Sequence, residues 1–190
     1  PVKKAQALLE TANANFLAAM DSLDAAVYVA DMQSYELLFM NTKIREYSGA
    51  KIGDRCWAAL QTGQNGPCTF CTNGKLLDGD GRPTPPYVWE FCNTKNQCWY
   101  QCRDQAIRWP DGRLVRLEIA VDISDRKAME SRLRESSERF RTFFSAISDA
   151  VFVHPYKNSG FAPFIEVNDI ACERYGYTRE EFKNPSGDDI

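Results

Sequence analysis

The chain begins the same pattern twice, and this limits its architecture more than any other feature. Residues 22–31 read Ser-Leu-Asp-Ala-Ala-Val-Tyr-Val-Ala-Asp, and residues 146–155 read Ala-Ile-Ser-Asp-Ala-Val-Phe-Val-His-Pro. Val27, Tyr28 and Val29 match Val151, Phe152 and Val153 at an offset of 124. Asn41, Glu46 and Gly49 match Asn168, Glu173 and Gly176 at an offset of 127. The three added residues predict a longer hairpin loop in the second copy. A repeat this long is a duplicated domain, not a solenoid unit, whose period is about 20–50 residues. The second copy reaches Ile190 after its opening elements only. The expectation is a piece of a longer, modular chain: an N-terminal helix over 1–20, a first domain over 21–123, a connecting helix over 124–147, and the start of a second domain over 148–190.

Composition narrows the function classes. With 44% hydrophobic and 12% aromatic residues there is material for a packed core. A net charge of −3, with no Lys/Arg stripe interleaved with aromatics, argues against a nucleic-acid partner. No apolar run approaches the roughly 18 residues of a membrane helix, so no direct membrane insertion is expected of this segment. The polar stretch from Val2 to Leu23 does not read as a signal peptide. Seven cysteines, an odd number in a chain of this size, do not suggest a secreted disulfide scaffold. A reducing cytoplasm is the expected location, although the full-length protein can carry an anchor elsewhere.

Periodicity places the elements. Val2, Leu9, Phe16 and Leu23 recur every seven residues, with Ala5, Ala12 and Ala19 three after the first three of them. That spacing predicts a helix, either in a coiled coil or packed on its own domain. Residues 26–31 and 36–41 read as a hairpin, with Asn41 capping a short helix that Gly49 ends. From Gly49 to Pro86 there are seven glycines and four prolines, so regular sheet is not expected, and short helices are placed at Arg55–Gln61 and Thr69–Leu77. Strand alternation returns from Tyr87. On one strand Cys98, Tyr100 and Cys102 share a face. On the last strand Val115, Leu117, Ile119, Val121 and Ile123 alternate with Arg116, Glu118, Ala120 and Asp122. Ser124–Ile147 is a second helix, with Met129, Leu133, Phe140, Phe143 and Ile147 in a 4-3 seam, polar enough to need a partner.

Trp109-Pro-Asp-Gly-Arg113, followed by Leu117-Glu-Ile-Ala-Val-Asp-Ile-Ser-Asp-Arg-Lys127, resembles the closing hairpin and exit motif of PAS sensory domains, with Ser124 in place of the usual Thr. Asn41 and Asn168 match the family's frequent Asn after the second strand. The resemblance covers residues 20–126 in full and 144–190 in part. It implies an α+β fold: a five-stranded antiparallel sheet with short helices on one face, flanked by N- and C-terminal signalling helices. Gly53, Cys56-Trp57 and Pro67-Cys68-Thr69-Phe70-Cys71 are similar to a bacterial PAS subgroup of sensor histidine kinases and diguanylate cyclases. Neither a kinase phosphoacceptor region nor a cyclase signature is present in these residues, and fold alone does not assign function.

Three thiols are the first candidates for chemistry. Cys68 and Cys71 fall at the start of the helix expected over Thr69–Leu77, and a helix N-terminus favours thiolate. Cys56, twelve residues upstream of Cys68, is a third. Zinc or an iron–sulfur cluster wants four ligands, so the fourth would come from Cys92, Cys98, Cys102 or a non-protein group. The plainer reading is that these thiols pack the helical layer, or form a Cys68–Cys71 or Cys56–Cys71 bridge. A thioredoxin-like site would follow directly on a buried strand, whereas residues 61–67 read as a loop. His154 is the single histidine and lies outside the first copy, so histidine-ligated haem is not expected there; the cysteine stretch of flavin photosensors is missing as well. A ligand pocket lined by Trp57, Phe70, Leu76, Trp89, Tyr100 and Ile119 competes with a filled aromatic core. No catalytic set is found.

The sequence therefore predicts a non-enzymatic sensory module. It would read a small ligand or redox state and relay it through the connecting helix to an effector in cis, a histidine kinase or diguanylate cyclase, as a homodimer through its flanking helices. The alternatives are a metal- or cluster-binding redox sensor using Cys56, Cys68 and Cys71, and a dimerisation scaffold without ligand.

Overall fold

The structure is a computed structural model that describes residues 2–155 and 163–183. The expected long loop of the second copy lies outside the described residues. The chain divides into two compact units, residues 1–127 and 128–190.

The first unit begins with α1 (Val2–Asp21), then β1 (Ala26–Asp31), β2 (Leu37–Met40), α2 (Thr42–Ser48) and α3 (Cys56–Ala59). After the glycine- and proline-rich segment come β3 (Tyr87–Cys92), β4 (Trp99–Arg108), β5 (Leu114–Asp122) and the start of α4 (Ser124–Ala146). The five strands form one sheet in the order β2-β1-β5-β4-β3, each pair antiparallel. This is the α+β arrangement that the sequence predicts, a five-stranded antiparallel sheet with flanking helices in place. β1, rich in Val and Tyr, lies between β2 and β5, and all six of its residues are buried.

One asparagine organises the edge of this unit. Asn41 caps α2 by accepting from Ile44 N at 3.4 Å, and the same oxygen accepts from Val27 N at 3.0 Å. Its amide donates to Ala25 O at 2.8 Å and Met20 O at 3.2 Å. The side chain thus ties the end of α1, the start of β1 and the start of α2. Gly49 ends α2 at φ +69°, a left-handed conformation that favours glycine.

In the segment from Gly49 to Pro86, α3 forms where a short helix is expected. The helix expected over Thr69–Leu77 does not: only a 3-10 turn, Asn73–Lys75, is present. Asn73-Gly74 are weak helix formers at its centre, and local turn bonds satisfy the backbone instead.

The second unit continues α4 and contains β6 (Phe152–Val153), β7 (Glu166–Val167), α5 (Asp169–Tyr175) and α6 (Arg179–Lys183). β6 and β7 are antiparallel. Asn168 repeats the Asn41 arrangement: it accepts from Val151 N and Ala171 N, both at 3.0 Å, and donates to Asp149 O at 2.9 Å. Gly176 ends α5 at φ +75°.

Candidate functional site

Strand phase decides what lies inside the first unit. On β4, Tyr100, Cys102, Asp104 and Ala106 are buried and alternate with more exposed residues. On β5 the residues facing the same interior are Arg116, Glu118 and Ala120, because pairing sets Glu118 opposite both Tyr28 of β1 and Asp104 of β4. The apolar set of β5 takes the other face: Val115 is fully buried, Leu117 and Ile119 are half-buried and Val121 is 44% exposed. Hydrophobic alternation thus points the wrong way on this strand; cross-strand register overrides it.

The result is a buried polar network. Arg116 Nη2 donates to Tyr28 Oη at 2.5 Å, and Tyr28 Oη donates to Glu118 Oε2 at 2.7 Å. Arg116 Nε lies 3.9 Å from Glu118 Oε2 but has no hydrogen-bond partner. Asp104, with no exposed surface, accepts from Trp89 Nε1 at 3.0 Å and from the Thr72 hydroxyl; its second oxygen has no partner. Burial, reinforced by Asp104 across the strand pair, pushes the Glu118 carboxyl up to about 7. Burial works against the Arg116 charge too, yet the groups around it outweigh that and hold it firmly protonated. A buried charge of this kind is costly unless paired, so Arg116 and the two carboxyls form one coupled unit.

Two of the three candidate thiols touch the guanidinium, and the third borders the same cavity. Arg116 Nη1 lies 3.6 Å from Cys71 Sγ, and Nη2 lies 3.8 Å from Cys56 Sγ. Cys56, Cys68 and Cys71 all line a cavity of about 30 Å³ together with Arg116 and Glu118. All seven cysteines are free thiols. Low thiol pKa values at a helix start were the expectation; the missing helix removes that effect. Burial instead raises the Cys56 thiol and pushes the Cys68 thiol up to about 11. Among the described residues no group of three or more His, Cys, Asp or Glu is placed to hold a metal ion. The cation that sits against the Cys56 and Cys71 sulfurs is Arg116.

Of the expected pocket residues, Trp57, Phe70 and Trp89 line this cavity. Phe70, Trp89 and Phe91 form an aromatic wall, with ring centroids 5.0–6.2 Å apart. Tyr100 borders a second cavity of about 20 Å³. Leu76 is fully buried but lines neither cavity. Ile119 lines neither, because β5 turns it to the opposite face. A water needs roughly 10–15 Å³ of such space and a drug-sized ligand roughly 300–1,000 Å³ in all. The larger cavity as it stands admits a water or two. Tyr28, Asp104, Arg116 and Glu118 were not singled out in the sequence. Asp104 was legible there, since it continues the i, i+2 series of Tyr100 and Cys102. His154 follows β6 and is exposed, as expected of a surface position.

β3 connects the cavity to the exit helix. Trp89 and Phe91 line the cavity, while Glu90 between them pairs with Arg126 Nη2 and Lys127 Nζ, each at 2.6 Å. Lys127 also lies over the Trp99 ring at 5.3 Å. Trp99 N donates to Ser124 Oγ at 3.0 Å, and Ile123 N donates to Trp99 O at 2.8 Å. The first turn of α4 is thereby fastened to β3 and β4.

Residues 138–190 match the family model described as PAS domain. No curated protein matches the chain by sequence. Among solved structures, the PAS domain of an HTR-like protein from Haloarcula marismortui is 12% identical, covering 64% of this chain and 99% of that one, with a TM-score of 0.43. A sensory box histidine kinase/response regulator from Burkholderia thailandensis is 18% identical, over 67% and 98% of the two chains, with a TM-score of 0.43. The N-terminal domain of a diguanylate cyclase with a PAS/PAC sensor from Marinobacter aquaeolei is 13% identical, over 54% and 98%, with a TM-score of 0.38.

Proposed function

The chain carries PAS-family sequence in residues 138–190, and from that premise we propose that its first unit is the input domain of a signalling protein, with the input read at the Arg116 cavity. The observation that carries this reading is the buried Arg116–Tyr28–Glu118–Asp104 network beside a cavity bordered by three thiols. A core that only had to hold the fold would gain by replacing such a network with apolar side chains. The input is a small ligand set against Arg116 or a redox change of the thiols. Anything larger than a few atoms has to displace side chains first.

The output leaves through α4. A signal requires that the input favour one of two arrangements of that helix. β5 bears Arg116 and Glu118 and runs directly into the α4 start, and the Glu90 clamp joins the cavity wall to Arg126 and Lys127. An effector in cis, a histidine kinase or a diguanylate cyclase, is supported by the likeness of the cysteine-bearing segment to modules of such proteins. A parallel homodimer is supported by the exposed seam residues, Leu9 and Phe16 on α1 and Met129, Leu133 and Phe143 on α4; Val2, also in the α1 seam, has no described side chain. The metal-site alternative finds no support in the placement of Cys56 and Cys71 against a guanidinium.

Hydrogen exchange over residues 124–135 tests the relay. In Arg116→Gln, or in Tyr28→Phe should the first variant fail to fold, exchange over the first turns of α4 changes several-fold, and adding Glu90→Gln suppresses the change. Identical exchange over α4 in a folded Arg116→Gln protein sinks the proposal.

A further inference from the structure

Resting on the reading of this cavity as the input site, we propose that Cys68 and Cys71 are a dithiol that peroxides oxidise to a disulfide, withdrawing Cys71 from Arg116. Cys71 N donates to Cys68 O at 3.0 Å, closing a tight turn. Turns of that kind hold the first and fourth Cα within about 7 Å, near the upper end of what a disulfide spans. Both residues are partly exposed, whereas Cys56 is buried at 6% exposure, so an oxidant in solvent meets the 68–71 pair first. Arg116 places a fixed cation against the Cys71 sulfur at 3.6 Å. Cationic surroundings of this kind mark reactive thiols. Burial keeps Cys68 protonated, which suits the second, proton-giving member of the pair.

The chemistry balances with one peroxide. Cys71 thiolate attacks a peroxide oxygen, the O–O bond breaks, and hydroxide leaves and takes a proton to become water. Cys71 is then a sulfenic acid. Cys68 sulfur attacks Cys71 sulfur, the S–S bond forms, the S–O bond breaks, and the hydroxyl leaves as water with the Cys68 proton. Two thiols are oxidised and one peroxide is reduced to two waters.

The product changes the network. Arg116 Nη1 loses its sulfur partner while Nε already lacks one. Glu118, 3.9 Å from Nε, is the carboxylate within reach of the freed guanidinium. A turn of Arg116 toward Glu118 strains the β5 segment that leads into α4.

The test uses the 190-residue chain, fully reduced, treated with equimolar hydrogen peroxide, alkylated and mapped by peptide mass. Two of the seven cysteines become protected from alkylation, joined as a Cys68–Cys71 peptide that dithiothreitol reverses. Cys68→Ser halts at a Cys71 sulfenic acid captured by dimedone. Arg116→Lys retains the rate within a few-fold, and Arg116→Met slows it about tenfold. A Cys56–Cys71 link, indiscriminate oxidation of all seven thiols, or no link overturns the proposal. If the link forms and α4 exchange stays unchanged both on oxidation and in Arg116→Gln, the dithiol stands and the input reading fails. If no link forms while Arg116→Gln still alters α4, the dithiol fails and the input reading stands.

Discussion

Tyr28 of the first copy corresponds to Phe152 of the second, and the surroundings of these two rings differ in kind. The Tyr28 hydroxyl bridges a buried arginine and a buried glutamate. Phe152 lacks the hydroxyl and lies in an aromatic cluster, with Phe164, Tyr175 and Phe182 at centroid distances of 5.1–5.5 Å. Asn41 and Asn168, by contrast, make the same cap in both copies, down to the carbonyl two residues before the first matched valine, Ala25 or Asp149. The duplicated part is the frame that starts the fold. The part that differs lines the interior, where the first copy invests stability in a charged site.

The strongest way to break this comparison is to remove the charge at its centre. Arg116→Met leaves Glu118 and Asp104 without their counter-ion and costs the first unit about 3–5 kcal/mol at pH 8. All four tryptophans lie in the first unit, so a denaturant titration followed by their fluorescence reads that unit alone. A loss under about 1 kcal/mol would mean that the network is not a coupled unit.

The caps should respond alike. Asn41→Ala removes the cap bond from Ile44 N and the bonds to Val27 N, Ala25 O and Met20 O, at about 2–3 kcal/mol, visible in tryptophan fluorescence. Asn168→Ala leaves that signal in place and appears instead as faster hydrogen exchange at the Val151 and Ala171 amides. Loss of fluorescence-detected stability in Asn168→Ala, to the extent seen with Asn41→Ala, would show that the frames are not separate.

A smaller effect sharpens the contrast through pH. The Glu118 carboxyl is raised in the folded state, from an ordinary 4.5 to about 7, by burial and by Asp104. The folded state therefore holds the proton more tightly, and stability is fully present below about 4.5 and declines as pH rises through about 7. The decline attributable to this group is on the order of 1–3 kcal/mol. Asp104, Arg116, Tyr28 and Cys102 are the titratable groups that face it. Glu118→Gln flattens the slope of stability against pH between 5 and 7.5, measured by urea titration. An unchanged slope would assign the pH dependence elsewhere.

How far the chain could be read depended on whether the signal was local. Helix caps, turn residues and strand alternation depend on near neighbours. Hence α1, the β1–β2 hairpin, the Asn41 and Asn168 caps, the Pro110-Asp111-Gly112 turn and α4 all fall where the sequence puts them. The cysteine segment misled because Thr69–Leu77 offers some helical residues but no periodic apolar face to hold a helix. Trp57, Phe70 and Trp89 come to border one cavity because large aromatics in this layer have few places to go. Ile119 was misplaced because alternation gives two faces without saying which is inside.

By itself the sequence determined the internal repeat, the order of the elements and the capping frame, since each rests on contacts a few residues apart or on direct self-similarity. Only the tertiary structure decided that Arg116 and Glu118 point inward. That choice is made by the register of β5 against β1 and β4, which sets Glu118 across from Tyr28 and Asp104. The same register sets the guanidinium against Cys56 and Cys71. It turns thiols that read as metal ligands or as a helix-activated pair into the border of a buried charge network.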